Sequence, residues 1–421
     1  EMIFCKNTVF QDLLFLFLVR ILFVLIFFGN ELLTFAESRF CMSVTVLKSP
    51  VRITYILANV TDAIAFEWIA ARLNPDLFRL DFILLIQHEN PVWLEQWMQK
   101  EQIPCKRFNF SSKKDYPRLI FSIWKELRKN KSQVVHTHIF EANICGLLAA
   151  LLAGIRRRIY TRHHSTLNFL YYPWAVRYDQ WINWIATDIV AITSSVKSVL
   201  IDKEKADPNK IHLIHHCFDA SYFANVSFER VSQIREKYQL NPNVFTVGVV
   251  SRYTHYKGVE YIIDGFAKFI ESGVPAILIL ANAHGTHKAV IQKHLEKLPK
   301  ESYLEIEFER DIPALYKCMD VFLHTPIDAD SEAYGQTYIE AMLAKIPSII
   351  TISGIANDYA LSGENCLVVE YQNADSIFLA LQTLYQQPAL RFSIAENAFQ
   401  LASDKFSLEK MIADLEKLYL K

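Results

Sequence analysis

Four charged residues in the second half of the chain have types and spacings that suit chemistry on a phosphorylated sugar. Arg252 and Lys257 lie in Ser251-Arg252-Tyr253-Thr254-His255-Tyr256-Lys257-Gly258, between an apolar run and a helical pattern. A guanidinium fork and an ammonium near a helix start, where free N–H groups gather partial positive charge, make a site for a diphosphate. Taken alone, cations in a loop are more often just solvated. Glu332 and Glu340 are separated by seven residues, with Gly335 placed to open the helix that runs on through Ala341-Met342-Leu343. Glu332 then stays in the loop, within reach of a bound sugar. Glu340 lies further into the helix, where a carboxylate can accept two ribose hydroxyls. The N–H groups of Gly335, Gln336 and Thr337 are free to meet a phosphate. Paired glutamates are common by chance, so this spacing is weak evidence by itself.

The elements that must position these residues follow from the hydrophobic pattern. Short, nearly continuous apolar runs predict strands at Val51–Leu57, Leu80–Ile86, Val134–His138, Arg158–Thr161 and Ile189–Thr193 in the first half. In the second half they predict Val244–Val250, Ala276–Ala281, Tyr303–Phe308, Val321–His324, Ser348–Thr351 and Leu367–Glu370. Helical periodicity fills the gaps, so the strands belong to parallel sheets covered on both faces. The polar, weakly periodic stretch Asp219 to Asn243 reads as a hinge. The reading is an α/β protein with two doubly wound, Rossmann-like parallel-sheet domains in series. Such sheets bind ligands beyond the carboxyl ends of their strands. That rule puts His138, Arg252, Lys257 and the paired glutamates on one interdomain cleft.

Three blocks occur in order: Val247 to Gly258, Asp320 to Leu361, and Gly363-Glu364-Asn365-Cys366-Leu367-Val368-Val369. With them the chain resembles the family-four retaining glycosyltransferases of the GT-B fold. Val134-Val135-His136-Thr137-His138, followed by Asn143 and Gly146, is similar to that family's acceptor domain. Lys210 to Asp219 is similar to the strand that closes that domain. The resemblance spans roughly residues 50–400. It implies transfer of a sugar from a UDP- or GDP-type donor by front-face attack, with retention of configuration, no catalytic nucleophile and no cofactor. It implies that Arg252 and Lys257 hold the diphosphate and stabilise the leaving group. Glu340 would bind the ribose, and Glu332 would contact the sugar beside the amides of Gly335, Gln336 and Thr337. His138 would lie under the sugar and β-phosphate. A buried structural histidine is the alternative for His138, and His136, one pleat deeper, ranks below it.

Departures from the family pattern fall mainly on the acceptor side. The loop Ala58-Asn59-Val60-Thr61-Asp62 lacks the expected glycines, His216-Cys217 stands where Asn-Gly is common, and Tyr253 to Tyr256 is bulky. His163, His164 and Asn59, with Tyr171 and Tyr172 nearby, are the acceptor-site candidates. Asp328-Ala329-Asp330 has a metal-binding spacing, but a polar turn before a helix is the expected role, and no metal is predicted. Lys113, Lys114, Arg118, Lys125, Arg128, Lys129 and Lys131 surround a helix with apolar Leu119, Ile120, Ile123, Trp124 and Leu127. Arg156-Arg157-Arg158 adds charge. This helix suits docking on anionic lipid, with a solvated face as the commoner alternative. The expected acceptor is a lipid-linked or surface polysaccharide or glycolipid precursor.

Composition supports and limits this reading. Of 421 residues, 52% are hydrophobic and 21% charged, which excludes a disordered chain and gives two domains as the prior. A net charge of -1 argues against a nucleic-acid partner. Seven scattered cysteines without ligand spacing suit a reducing, cytoplasmic setting, with peripheral membrane contact through the basic helix. Residues 1–41, with the apolar run Leu13 to Phe28 broken by Arg20, read as an upstream extension or an anchor. The expected domains are 42–225 for the acceptor and 226–400 for the donor, with a helix over 401–421 packing back across them. The rival functions are a nucleotide-sugar epimerase of the same fold and a donor-binding homologue without transfer activity.

Overall fold

The computed structural model describes residues 49–421 except 62, 89 and 91, so the expectation for residues 1–41 lies outside the described residues. The first sheet consists of β1 (Val51–Ala58), β2 (Phe78–Ile86), β3 (Cys105–Asn109), β4 (Val134–His138), β5 (Arg157–Arg162), β6 (Asp188–Ala191) and β7 (Ile211–Leu213), in the order β3-β2-β1-β4-β5-β6-β7. The second consists of β8 (Phe245–Val250), β9 (Ala276–Ala281), β10 (Tyr303–Ile306), β11 (Val321–His324), β12 (Ser348–Ile350) and β13 (Leu367–Val368), in the order β10-β9-β8-β11-β12-β13. Every strand pair is parallel. The strand order reverses between β1 and β4 and again between β8 and β11, which opens a crevice at the end of each sheet.

Burial explains which strands the apolar pattern finds. Every residue of β4, β8 and β11 is buried, so these strands need apolar or internally satisfied side chains on both faces. The edge strand β3, Cys-Lys-Arg-Phe-Asn, is only partly buried and β7 is three residues long, so neither carries that signal. The expected strands at 303–308 and 367–370 end sooner, at Ile306 and Val368.

The stretch read as a hinge is largely helical. Helices Ala220–Ala224 and Phe228–Lys237 are N-capped by the side chains of Asp219 and Ser227. Both pack on the helix Ile312–Tyr316 of the second half, and Arg230 grips Asp311 through two hydrogen bonds of 2.8 and 2.6 Å. Of their residues only Phe223 and Ile234 are buried, while Phe228 is exposed, which is why periodicity was weak.

The final helix, Leu408–Leu420, returns to the first half and packs on the helix Ile64–Arg72. Tyr419 is buried there, its hydroxyl 2.5 Å from that of Tyr55 and 2.7 Å from His136 Nδ1. The other ring nitrogen of His136 meets Thr161 Oγ1 at 2.8 Å. His136 is thus a satisfied core histidine, in keeping with its lower rank.

Candidate functional site

A cleft of about 990 Å³ is lined from both halves at the carboxyl ends of the strands. The first half supplies Thr61 after β1, His163 to Thr166 after β5, and His216 after β7. The second supplies Ser251, Arg252, Tyr256 and Lys257 after β8, Asn282 and His284 after β9, and Ile327, Asp328 and Asp330 to Thr337 after β11. Short bonds span the halves beside it: Thr193 Oγ1 donates to the Ala333 carbonyl at 3.0 Å, and the Tyr334 hydroxyl donates to the His216 carbonyl.

The two predicted cations differ in their surroundings. Arg252 is exposed and makes no ion pair among the described residues, so its guanidinium is free for a ligand. Lys257 is mostly buried and forms an ion pair with Glu332, whose side chain is 9% exposed. Gly258 follows at φ 65°, where a Cβ would lie 2.3 Å from the Thr325 carbonyl oxygen, so only glycine brings this turn so close to β11.

Glu332 is held from a second side by His324, the last residue of β11, whose Nε2 lies 2.9 Å from Oε1. Its backbone N–H donates to Ser353 Oγ at 3.0 Å. Burial pushes the Glu332 carboxyl up, but the Lys257 ammonium and the His324 hydrogen bond outweigh it and hold the group at about 2. Burial pushes His324 below the usual imidazole range despite that same bond, so a neutral ring donates to a carboxylate. His324 Nδ1 is buried without a partner.

Gly335 opens the helix Gln336–Leu343 as expected, in the left-handed conformation at φ 80° and with no side-chain cap. The first N–H groups of that helix have no intrahelical acceptor and lie at the cleft wall formed by Gly335, Gln336 and Thr337. Glu340 sits behind this turn, outside the cleft lining, and accepts a 3.0 Å hydrogen bond from the Tyr316 hydroxyl. Desolvation pushes its carboxyl up to about 7, against that hydrogen bond.

Histidines dominate the other wall. His138 lies beneath the cleft, lining a side cavity of about 120 Å³ that shares His163, His216 and Gln336 with it. His138 Nδ1 lies 3.0 Å from His163 Nε2, and His163 Nδ1 lies 3.3 Å from His216 Nε2. Desolvation, reinforced by the neighbouring imidazoles, holds His138 and His163 well below the ordinary range, and burial takes His216 to about 4. His138 Nε2 is buried with no partner, so a donor or acceptor is free beside the cleft. His164 lines the cleft too, with Nε2 3.5 Å from Asp179. Asn59 does not: it turns at φ 52° and bonds to Gln87, taking in a left-handed turn the place where a glycine was missed. Asp328 accepts from the Asp330 N–H at 2.9 Å, a local turn of the expected kind.

Two family profiles match in the order of the two sheets. One, Glycosyltransferase Family 4, matches residues 87–222, and the other, Glycosyl transferases group 1, matches residues 231–401. The chain belongs to the family-four glycosyltransferases of the GT-B fold. Among its relatives is the capsular polysaccharide biosynthesis glycosyltransferase CapM of Staphylococcus aureus, 27% identical over 75% of this chain and 83% of that one. Another is the UDP-Gal:alpha-D-GlcNAc-diphosphoundecaprenol alpha-1,3-galactosyltransferase of Escherichia coli, 23% identical over 81% and 89%. The fold is that of Anabaena HepE in complex with UDP-glucose, with a TM-score of 0.75 at 18% identity over 88% of this chain and 100% of that one. It is also that of WaaG, a glycosyltransferase involved in lipopolysaccharide biosynthesis, with a TM-score of 0.65 at 13% identity over 88% and 99%.

Arg252, Lys257 and Glu332 line the cleft on which sequence reasoning put them, Glu340 lies outside that lining, and the side chains that hold the two glutamates were not foreseen. His324 ends a strand that was recognised, and the carboxyl-end rule was the signal that could have singled it out. Ser353, His216 and Tyr334 carry no such signal, because their contacts join distant segments, and the bonds that link His138 and His163 into one row with His216 were equally invisible.

Proposed function

We propose that this glycosyltransferase moves a sugar from a UDP- or GDP-type nucleotide donor to a lipid-linked or surface-glycan acceptor, with retention and without a catalytic metal. What carries the reading is the convergence, on one cleft wall, of the free Arg252 guanidinium, Lys257 and the uncapped start of the helix Gln336–Leu343. Three sources of positive potential around one opening suit a diphosphate and the charge that grows on it as the sugar departs. Arg252 and the helix amides hold the diphosphate, Glu332 faces the sugar, and Glu340 takes the ribose. His138 presents its free Nε2 beneath the reacting centre, and His163 and His164 face the acceptor. With cations performing the electrostatic task, Asp328 and Asp330 serve as a turn. The polysaccharide and undecaprenol-linked activities named for the relatives favour an acceptor of that class.

The first half also presents a surface suited to an anionic membrane. In the helix Tyr116–Asn130 the apolar residues Leu119, Ile123 and Leu127 are buried in the domain, and its outward side carries Arg118, Lys125, Arg128 and Lys129 together with the exposed ring of Phe121. Of the three consecutive arginines, Arg157 and Arg158 turn to backbone carbonyls and Arg156 alone is exposed. Beside the helix, Lys113 Nζ lies 4.2 Å from the ring centroid of Trp174, within an exposed group that includes Leu170, Tyr171 and Tyr172. Cations beside exposed aromatics suit a headgroup layer. No helix among the described residues is long and apolar enough to cross a membrane.

Thermal stability with UDP, GDP, ADP and CMP in EDTA tests the donor assignment. The matching nucleotide, at about a hundred times its dissociation constant, stabilises the fold by about 2.7 kcal/mol. A shift only after magnesium or manganese is added would remove the metal-free reading. Turnover of a UDP-sugar to its epimer without an acceptor would favour the epimerase rival. Sedimentation with vesicles of anionic against neutral lipid tests the membrane surface.

A further inference from the structure

His255, Glu260 and His287 form a cluster that the sugar chemistry does not use. None of them lines the cleft, although Arg252, Tyr256 and Lys257 of the same loop do. His255 belongs to the single turn His255–Lys257, Glu260 to the first turn of the helix Val259–Glu271, and His287 precedes the helix Lys288–Leu295. Glu260 Oε1 lies 3.5 Å from His255 Nδ1 and 3.3 Å from His287 Nε2, and all the ligating atoms lie within 4.8 Å of one another.

These distances fit a common ion better than a hydrogen-bonded pair. A tetrahedral zinc with bonds of about 2.0–2.1 Å separates its ligand atoms by about 3.3–3.4 Å. His287 Nε2, though close to the carboxylate, is buried without a hydrogen-bond partner, and so is Glu260 Oε2. The Glu260 side chain is 8% exposed and has no Lys or Arg partner among the described residues. A carboxylate buried to this degree calls for a compensating cation. The His255 side chain is 60% exposed, which leaves a way in from solvent and a position for a water ligand. The histidine row under the cleft is different, because its rings already bond to one another.

We propose that His255, Glu260 and His287 bind a divalent transition ion, zinc fitting best, on the face of the donor loop turned away from the cleft. The loops it would join are already tied through backbone bonds from Tyr253 N to His284 O at 2.8 Å and from His287 N to Tyr253 O at 2.9 Å. The ion adds a side-chain clamp across three elements and fixes the turn that carries Arg252 and Lys257. It takes no part in the transfer, so its presence is independent of the donor assignment.

The test uses the full chain stripped with EDTA and titrated with zinc against a chromophoric chelator, with cobalt as a spectroscopic probe of tetrahedral geometry. One zinc should bind per chain and raise the denaturation midpoint. His255→Ala, at an exposed position, should keep the metal-free midpoint and weaken zinc binding about tenfold or more, and Glu260→Gln should weaken it further. Absence of saturable binding, or equal affinity in wild type and both variants, would overturn the site.

Discussion

Glu332 is a buried carboxylate held by a lysine and a histidine, and that makes the two predicted cations unequal under mutation. Arg252 has no ion-pair partner to abandon among the described residues, so Arg252→Ala should lower kcat/KM by about 2–4 kcal/mol of transition-state stabilisation and leave the denaturation midpoint unchanged. Lys257→Ala also strands the Glu332 charge, which is 9% exposed. Breaking such a pair costs about 3–5 kcal/mol, so this variant should be visibly less stable as well as inactive. Steady-state kinetics beside thermal denaturation separate the two losses, and equal midpoints would show that His324 alone suffices for Glu332. Glu340 gives a pH signature. Its carboxyl titrates at about 7, and only the ionised form accepts both ribose hydroxyls. Donor affinity should therefore rise with pH through 7 and fall by up to about tenfold per unit on the acid side. The probe should be an intact nucleotide-sugar, whose own charge is constant there. Glu340→Gln should flatten the profile, and an unchanged slope would detach Glu340 from the ribose.

The single turn at Gly335 decides whether the helix Gln336–Leu343 presents its amides to the cleft. A Cβ at that position would lie 2.5 and 2.6 Å from ring carbons of Tyr338, and φ is 80°. Gly335→Ala should cost about 1–3 kcal/mol of backbone strain and displace the helix start. Donor KM should rise more than the stability loss explains, and an unaltered KM would show that the amides are not used. Elements of this kind were legible where geometry is local. Gly335 and the apolar strands β4, β8 and β11 are read from neighbouring residues, and the structure places them as read. The edge strand β3 was missed because exposure lets Lys106 and Arg107 into a strand. The helices at 220–237 were read as a hinge because they bury one narrow face against Ile312–Tyr316. The site divides in the same way. Arg252, Lys257, Glu332 and the glycine turn were visible in short motifs, whereas the His138–His163–His216 row joins residues 25 and 53 positions apart. Asn59, chosen from a loop composition, turns out to shape its own turn.

At the scale of the molecule, the first sheet is completed by a helix from the far end of the chain. Tyr419 is 2% exposed and bonds to both Tyr55 and His136. Tyr419→Ala should cost about 3–5 kcal/mol, in line with loss of a buried aromatic ring. Tyr419→Phe, which keeps the ring but leaves two buried polar partners unmatched, should cost about 1–3 kcal/mol. Denaturation curves of the two variants test this, and near-wild-type stability of Tyr419→Ala would show that the helix is ornamental to the first half.

That closing helix also orders events during synthesis. His136 leaves the ribosome 283 residues before the tyrosine that satisfies its Nδ1. Until then the seam between Tyr55 and His136 stays open, while the second sheet can close around its own core. The half made first is therefore the half finished last. During that interval its uncovered aromatic seam is what a chaperone would meet.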